Sequence, residues 1–112
     1  MRSDLERISD ILDAILQIRR YTDKCDRSSF PGDELVQVWV IHHLQVIGEA
    51  AAGLSARAKS DMPDIPWREI AGMRNILVHA YFRVDPEEVW TVVERDLPLL
   101  QERLEKKLSE RD

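Results

Sequence analysis

The residues best suited to chemistry lie close together, in the segment 74–81. Arg74 and His79 are five positions apart, Asn75 follows the arginine, and Tyr81 ends the segment. Histidine exchanges protons near neutral pH, and arginine can hold a phosphate through two parallel hydrogen bonds. Such a pair could cleave RNA without a metal ion. The imidazole could take a proton from a ribose 2′-hydroxyl or give one to the departing 5′-oxygen, and the guanidinium would stabilise the charge that builds up on the phosphate.

A helix would give this segment two different faces. At about 100° per residue, the apolar side chains form one arc, and Gly72, Asn75 and His79 fall on the opposite side. Arg74 lies at the edge of the apolar arc, close in angle to Tyr81. A face with a glycine and two polar groups suits a cleft or the close approach of a second subunit. One histidine lacks a second acid or base, and two copies facing each other would supply it.

The same residues also admit a purely structural interpretation. A single histidine near a helix end often caps backbone carbonyls or lies at the surface, and an arginine often joins a salt bridge. The spacing by itself is a weak signal, so it does not decide between this interpretation and catalysis.

The first half of the chain is predicted to form two helices. Ser3 or Asp4 can cap a first helix, whose apolar residues then recur at helical spacing. Asp33 can cap a second, longer helix that runs towards Ala58. Five of the six residues 48–53 of that helix are glycine or alanine. The glycines are unfavourable for a helix, so we expect this small-sided stretch to let another helix approach closely.

The second half is predicted to form three more helices. Pro66 suits the first position of a third helix that extends to about Tyr81, and Asp85 can cap a fourth that covers residues 89–95. Pro98 then interrupts the pattern or starts a fifth helix. No convincing strand alternation appears. The pattern therefore predicts an all-α fold in which four of five helices pack as an antiparallel bundle.

Length and composition favour one globular domain over residues 1–112. Hydrophobic residues make up 44% of the chain and charged residues 33%, which is typical of a folded protein rather than a disordered one. Cys25 is the one cysteine, so no internal disulfide and no cysteine cluster for zinc is expected, and we predict neither a metal nor a cofactor. The sequence has no signal-peptide pattern and no apolar stretch of ~20 residues, which predicts a cytoplasmic protein with no membrane association.

The formal net charge of −5 argues against broad, charge-driven binding to nucleic acid. A protein of this charge that acts on RNA would need its arginines gathered at one place, for example by the pairing of two subunits.

The segment also resembles a known signature. Residues 74–81 match the R-x4-H-x-Y motif of the HepT toxins, which belong to the HEPN superfamily. The similarity runs from about residue 4 to about residue 108, and it is also carried by residues 47–51, 65–75, 81–85 and 96–98. The short motif alone is a modest signal, but the run of residues 65–85 is highly specific.

The resemblance implies a fold, an activity and a set of site residues. HEPN domains are helical bundles that dimerise and place their arginine and histidine motifs in a shared cleft, and many are metal-independent ribonucleases. Carried over by position, Arg74 and His79 would be catalytic and Asn75 would be the polar residue that supports them. We therefore expect a HEPN-like homodimer that cleaves RNA, with tRNA among its candidate targets.

The resemblance also implies a partner. HepT toxins are paired with MntA-like nucleotidyltransferase antitoxins, which transfer AMP from ATP to the signature tyrosine, here Tyr81. Each AMP would add bulk and a negative phosphate beside Arg74, so it would occupy the phosphate site and repel RNA. Modification is therefore expected to silence the toxin.

Two other interpretations stay open at this point. The chain could be a non-catalytic HEPN dimer that binds its nucleotidyltransferase or a nucleotide, which the acidic net charge favours slightly, or chiefly a substrate for AMP transfer. Glu49 could pair with Arg74, face the cleft or be solvated. His42 and His43 are adjacent and cannot share one helix face for a metal, so we expect them at a polar edge near the dimer cleft.

Overall fold

The computed structural model describes residues 2–79 and 84–110, and the side chains of Met73 and of residues 75–79 lie outside the description. Within these ranges the chain is helical and has no strand. The α-helices are α1 (Asp4–Thr22), α2 (Glu34–Gly53), α3 (Ala56–Ser60), α4 (Trp67–His79), α5 (Pro86–Thr91) and α6 (Leu97–Ser109). The predicted all-α bundle is confirmed. Since α5 and α6 form one continuous helical run, the described chain has four main helices, and the short fifth is α3, which the sequence did not predict.

Helix α1 begins where its cap residue predicts. The Ser3 hydroxyl accepts the amide N–H of Glu6, and the Glu6 carboxylate accepts the amide N–H of Ser3, which together form a capping box. The helix then turns one apolar face to the core, which buries four isoleucines: Ile8, Ile11, Ile15 and Ile18.

Helix α2 lies antiparallel to α1. Near the end of α1, the indole Nε1 of Trp39 donates to the carbonyl oxygen of Gln17 over 2.6 Å. At the start of α1, the carboxylate of Asp4 accepts two hydrogen bonds from Ser55, one from the hydroxyl at 2.6 Å and one from the amide at 2.9 Å. The residues that follow α2 are therefore tied to the first turn of α1.

The predicted extent of the second helix to Ala58 is wrong. Helix α2 ends at Gly53, Leu54 is extended with φ −65° and ψ 145°, and Ser55 caps the separate short helix α3 by accepting the amide N–H of Ala58. The physical reason is the pair of Ser55 hydrogen bonds to Asp4, since a Ser55 inside a continuous helix could not present its amide to another chain segment.

Pro98 does not interrupt the C-terminal helical run. The amide N–H of Leu97 donates to the carbonyl oxygen of Val92, five residues earlier, within the π-helical turn Val92–Asp96 that joins α5 to α6. Pro98, which has no N–H to donate, follows at once and lies in the first turn of α6. The fifth predicted helix is thus present but is continuous with the fourth.

The core lies where α1, α2, α4 and α6 meet, with α5 and the turn at Phe30 closing one side. Its largest members include aromatic and branched side chains from all parts of the described chain: Phe30, Leu44, Ile47, Trp67, Trp90 and Leu104. None of the described helices has the length and apolar character needed to cross a bilayer.

Replacement of Asp4 by asparagine is expected to lower the free energy of unfolding by about 1 kcal/mol at neutral pH. The Ser55 hydrogen bonds hold the pKa of the Asp4 carboxyl below its usual range. A pKa lowered on folding gives stabilisation that is present above the unfolded pKa and is lost as pH falls through the folded one. Urea denaturation should therefore show a shallower loss of stability in the variant below pH ~4.

Asp13→Asn is the matched control for that measurement. Asp13 is exposed on the same helix and makes no hydrogen bond or salt bridge within the described ranges. Its replacement should change stability by no more than about 0.5 kcal/mol. Equal effects of the two substitutions would show that the Asp4–Ser55 link does not stabilise the α1–α2 pair.

Candidate active site

The candidate site is built where α4 crosses α2 at Gly48. A Cβ placed on Gly48 would lie 3.0 Å from the Cβ of Arg74, 3.1 Å from the Arg74 amide nitrogen and 3.3 Å from the carbonyl oxygen of Ile70. The two helices approach so closely that a side chain at this position would be in unusually tight contact with the backbone of α4, so glycine suits it. The prediction that the small residues of α2 admit a second helix is confirmed.

Arg74 extends from this crossing to the surface, where Glu49 binds it. Its Nη1 donates to Oε2 of Glu49 over 2.9 Å, and the exposed fractions of the two side chains are 37% and 71%. Of the roles left open for Glu49, pairing with Arg74 is the one that the structure shows. An exposed pair of this kind contributes only about 0–1 kcal/mol, so a phosphate oxygen could replace the carboxylate at little cost.

The other predicted site residues share the helix of Arg74 or follow it. Helix α4 continues through Asn75 to His79, so the backbone of the three residues is helical, as predicted. Asn75 and His79 are four residues apart and therefore occupy neighbouring positions on one face. The side chains of both lie outside the description, and Tyr81 falls between the two described ranges. Their roles stay predictions.

The face of α4 that carries Asn75 and His79 also carries Gly72, three and seven residues earlier. A Cβ placed on Gly72 would have no described atom within 4 Å. Among the described atoms, nothing covers this position of the face on which the sequence predicts a cleft.

The two adjacent histidines of α2 occupy different environments. His43 is half-buried, with its Nδ1 2.8 Å from the carbonyl oxygen of Trp39 and its ring centroid 4.5 Å from the Trp39 ring. It therefore packs against Trp39 of the same helix, whose indole bonds to α1. His42 is exposed. No group of three side chains that could hold a metal ion occurs among the described residues.

A shallow groove of about 440 Å³ between α1 and α2 reaches the same edge of α2 as Arg74, because Glu49 lines it. Most of the other lining residues have polar side chains, although the exposed surface of the groove is mainly apolar. They lie just before and within the first turns of α1 and on the outer face of α2: Arg2, Arg7, Asp10, His42, Gln45, Val46 and Ala50. This groove is not among the sites that the sequence predicts. Its two walls are over thirty residues apart in the chain, so no local pattern could have indicated it.

A second cavity, of about 630 Å³, lies between the start of α4 and α6. Its walls are mainly apolar, with Ile47, Ile70 and Leu97 among them, and Arg103 at its rim is bonded to Asp64 over 2.8 Å. This bond holds the pKa of the Asp64 carboxyl below its usual range. A cavity of this character suits apolar groups rather than phosphate chemistry.

The chain matches proteins of one family over most of its length. The family model described as "Ribonuclease HepT-like" matches residues 11–107. The chain is similar to "Probable ribonuclease HepT" of Thermococcus cleftensis, with 40% identity over 105 residues, which cover 94% of this chain and 96% of the relative. It is also similar to "Putative RNase MJ1380" of Methanocaldococcus jannaschii, with 32% identity over 96 residues, which cover 86% of this chain and 88% of the relative. No solved structure gives a significant match.

Gly48→Ala is expected to destabilise the fold, although alanine favours a helix by about 1 kcal/mol over glycine. The added Cβ would press on the backbone of α4 at Arg74, which cannot move without separating the two helices. Overpacking of this kind costs about 1–3 kcal/mol, so we expect a net loss of about 1 kcal/mol in thermal or urea denaturation.

Gly72→Ala on α4 is the matched control, and we expect no loss of stability from it. Its Cβ meets no described atom, so the gain in helix propensity should leave the variant as stable as the wild type or more stable. If Gly48→Ala were equally well tolerated, the close approach of α2 and α4 would not be a constraint on the site.

Proposed function

The chain belongs to the HepT-like ribonuclease family, and we propose that it is a toxin that cleaves RNA without a metal ion, working as a homodimer. The observation that carries this proposal is the exposed guanidinium of Arg74, which a single surface carboxylate holds at the α2–α4 crossing, on the same helix as His79. The matching family model is described as a HepT-like ribonuclease, and both residues lie within the matched range, which supports the proposal.

Arg74 binds the scissile phosphate in the proposed reaction. Its guanidinium has five N–H donors in a planar fork, a geometry that suits two phosphate oxygens at once. The phosphate takes the place of the Glu49 carboxylate, which is mostly exposed and can return to solvent without a large desolvation cost. The same guanidinium then stabilises the extra negative charge of the transition state.

His79 supplies proton transfer. The ribose 2′-oxygen attacks the phosphorus while the bond to the 5′-oxygen breaks, which gives a 2′,3′-cyclic phosphate and a free 5′-hydroxyl. One proton leaves the 2′-oxygen and one reaches the 5′-oxygen, so the reaction needs both a base and an acid. A second copy of the chain supplies the second histidine, which is why a dimer is part of the proposal. Asn75, the helical neighbour of His79, orients the imidazole or donates to the phosphate.

The purified, unmodified protein is expected to cleave total cellular RNA or tRNA in the presence of EDTA. His79→Ala and Arg74→Ala should each lower the cleavage rate by about 100-fold or more, the usual contribution of one proton-transfer group or one charge-stabilising group. Gel analysis of the RNA at equal protein concentration measures this.

Arg68→Ala is the control for the arginine variant. Arg68 is exposed on the same helix and makes no salt bridge within the described ranges, so its removal changes the net charge equally and should leave cleavage intact. If the folded, dimeric and unmodified wild type cuts none of these RNAs, the non-catalytic interaction module becomes the better interpretation, as the net charge of −5 would favour.

The proposal includes control by an MntA-like nucleotidyltransferase. The phenolic oxygen of Tyr81 attacks the α-phosphorus of ATP, pyrophosphate leaves, and the phenolic proton passes to solvent. The AMP phosphate then carries negative charge close to Arg74 and competes with the RNA phosphate for it. Tyr81 follows the C-terminal end of α4 by two residues, and this short separation from the site supports the proposal.

Incubation with such a partner and ATP should raise the mass of the wild-type chain by one or more AMP units and abolish its cleavage of RNA. Tyr81→Phe should gain no mass and should stay active under the same conditions. Mass spectrometry of the intact chain, followed by the cleavage assay, makes both measurements on one sample. An inhibited Tyr81→Phe variant would mean that the partner acts by binding alone.

A further inference from the structure

Arg7 lies against the bare backbone at the end of α2. A Cβ placed on Gly53 would meet the Nη1, Cζ and Nε atoms of Arg7, so the guanidinium occupies the space that a side chain at this position would fill. Gly53 has a negative φ, as any residue could adopt. It therefore serves here by having no side chain rather than by an unusual backbone conformation.

In the groove that it lines, Arg7 forms no salt bridge with a described residue. Arg2 pairs with Asp10 over 2.7 Å, and Glu49 pairs with Arg74 over 2.9 Å. Arg7 has no salt bridge within 4.0 Å in the described part of the chain, although its side chain is half-buried. A guanidinium that is partly removed from water and forms no salt bridge with a described carboxylate is suited to bind a phosphate.

The two acids nearest to Arg7 in the chain are engaged elsewhere. Asp4 accepts both hydrogen bonds of Ser55, and Glu6 closes the capping box with Ser3. Each is close enough that the positive charge of Arg7 helps to lower its pKa, but neither bonds to the guanidinium. The two acids thus compensate the charge of Arg7 only in part and leave its N–H donors unbonded among the described residues.

Arg7 is connected to the proposed active site through Glu49, although the two glycines face different sides of α2, Gly48 towards α4 and Gly53 towards α1. Gly53, which Arg7 covers, follows Gly48, which Arg74 covers, by five residues of α2, a rise of about 7.5 Å along the helix. Glu49 connects the two places, since it lines the groove with Arg7 and bonds to Arg74. An RNA strand with its scissile phosphate at Arg74 could continue along this groove.

We propose that Arg7, held against Gly53, binds a second backbone phosphate of the same RNA strand. The inference rests on the proposed ribonuclease function and extends it by naming the surface that the strand follows. Arg7 does not touch the reacting atoms, so it is a positioning residue. It should affect how tightly a long RNA binds and not how fast the bound RNA is cut.

The test compares Arg7→Gln with Arg95→Gln. Arg95 is exposed in the turn between α5 and α6, lines none of the grooves described above, and gives the same change in net charge. In the His79→Ala background, fluorescence anisotropy with a single-stranded RNA should show roughly tenfold weaker binding for Arg7→Gln, the scale of a hydrogen-bonded charge pair. The slope of log K against log salt should fall by about 0.7, the value for one phosphate contact on a single strand. Arg95→Gln should match its parent.

Kinetics with His79 intact separate positioning from catalysis. Arg7→Gln should raise the KM for a long single-stranded RNA with kcat unchanged, and should leave cleavage of the shortest oligonucleotide that the wild type cuts unaffected. Gly53→Ala keeps the charge but fills the space under the guanidinium. It should also raise the KM, without loss of stability, because alanine is tolerated at this backbone conformation.

The outcomes distinguish this inference from the function on which it rests. If the wild type cuts RNA and either Arg7→Gln or Gly53→Ala binds long RNA as well as Arg95→Gln does, the Arg7 site is wrong and the ribonuclease proposal stands. An equal loss on long and short substrates would also overturn it, since a distant phosphate contact cannot act on a substrate that does not reach it. If the wild type neither binds nor cuts RNA, both proposals fail together.

Discussion

The contact between the backbones of α2 and α4 at Gly48 sets the geometry of everything around the candidate site. Because no side chain separates the helices there, the Cβ of Arg74 lies at the edge of the crossing and its guanidinium extends along the outer surface of α2 to Glu49. His79 is fixed to the same helix, so any shift of α4 on α2 moves the arginine and the histidine as one body. The distance between α2 and α4 therefore sets the position of the helix face that carries the candidate site residues, and this distance is short because residue 48 is a glycine.

Helix α2 carries this constraint at a cost to its own stability. Each of its two glycines disfavours a helix by about 1 kcal/mol relative to alanine. The helix tolerates them because α1 and α4 pack on it from two sides and because its buried face is strongly apolar, with Leu44 and Ile47 among the most completely buried side chains. Tertiary packing, rather than intrinsic propensity, holds such a helix together. In return, α2 accommodates one arginine at each glycine, Arg74 at the first and Arg7 at the second.

The sequence predicts where helices begin better than where they end. Ser3, Asp33 and Asp85 each cap the helix that follows, because a cap depends on a side chain bonding to an amide two or three residues later, which is local information. The end of α2 at Gly53 depends instead on the bond between Ser55 and Asp4, fifty-one residues apart. The uninterrupted run through Pro98 depends on a π-helical turn that no residue pattern announces.

In the candidate site, too, the features that depend on local sequence could be predicted, and those that depend on contacts between distant residues could not. The sequence predicts a helix over Arg74, which is correct because it follows from local residue pattern alone, and the structure places the Arg74 side chain, partly exposed, beside α2. The pairing with Glu49 was one of several alternatives, since it requires the register of α2 against α4, which the sequence does not contain. Arg7 had no signal at all, because its role needs both the α1–α2 pair and the missing side chain of Gly53. The roles of Asn75, His79 and Tyr81 come from the family resemblance and stay predictions.

A chain with a net charge of −5 can bind RNA more easily if the carboxylates that pair with its arginines can be displaced by phosphate at the binding site. Glu49 and Asp10 hold Arg74 and Arg2 in defined positions, yet both salt bridges are solvent-exposed and so contribute little to folding. A phosphate can displace such a carboxylate because the acid regains its hydration as it leaves. If the Arg74–Glu49 pair were buried, removal of one partner would leave an uncompensated charge at a cost of about 3–5 kcal/mol, and substrate binding would have to overcome it. An exposed acid beside a phosphate-binding arginine therefore orders the guanidinium in the free protein without opposing the substrate, and this reconciles the acidic composition with the proposed action on RNA.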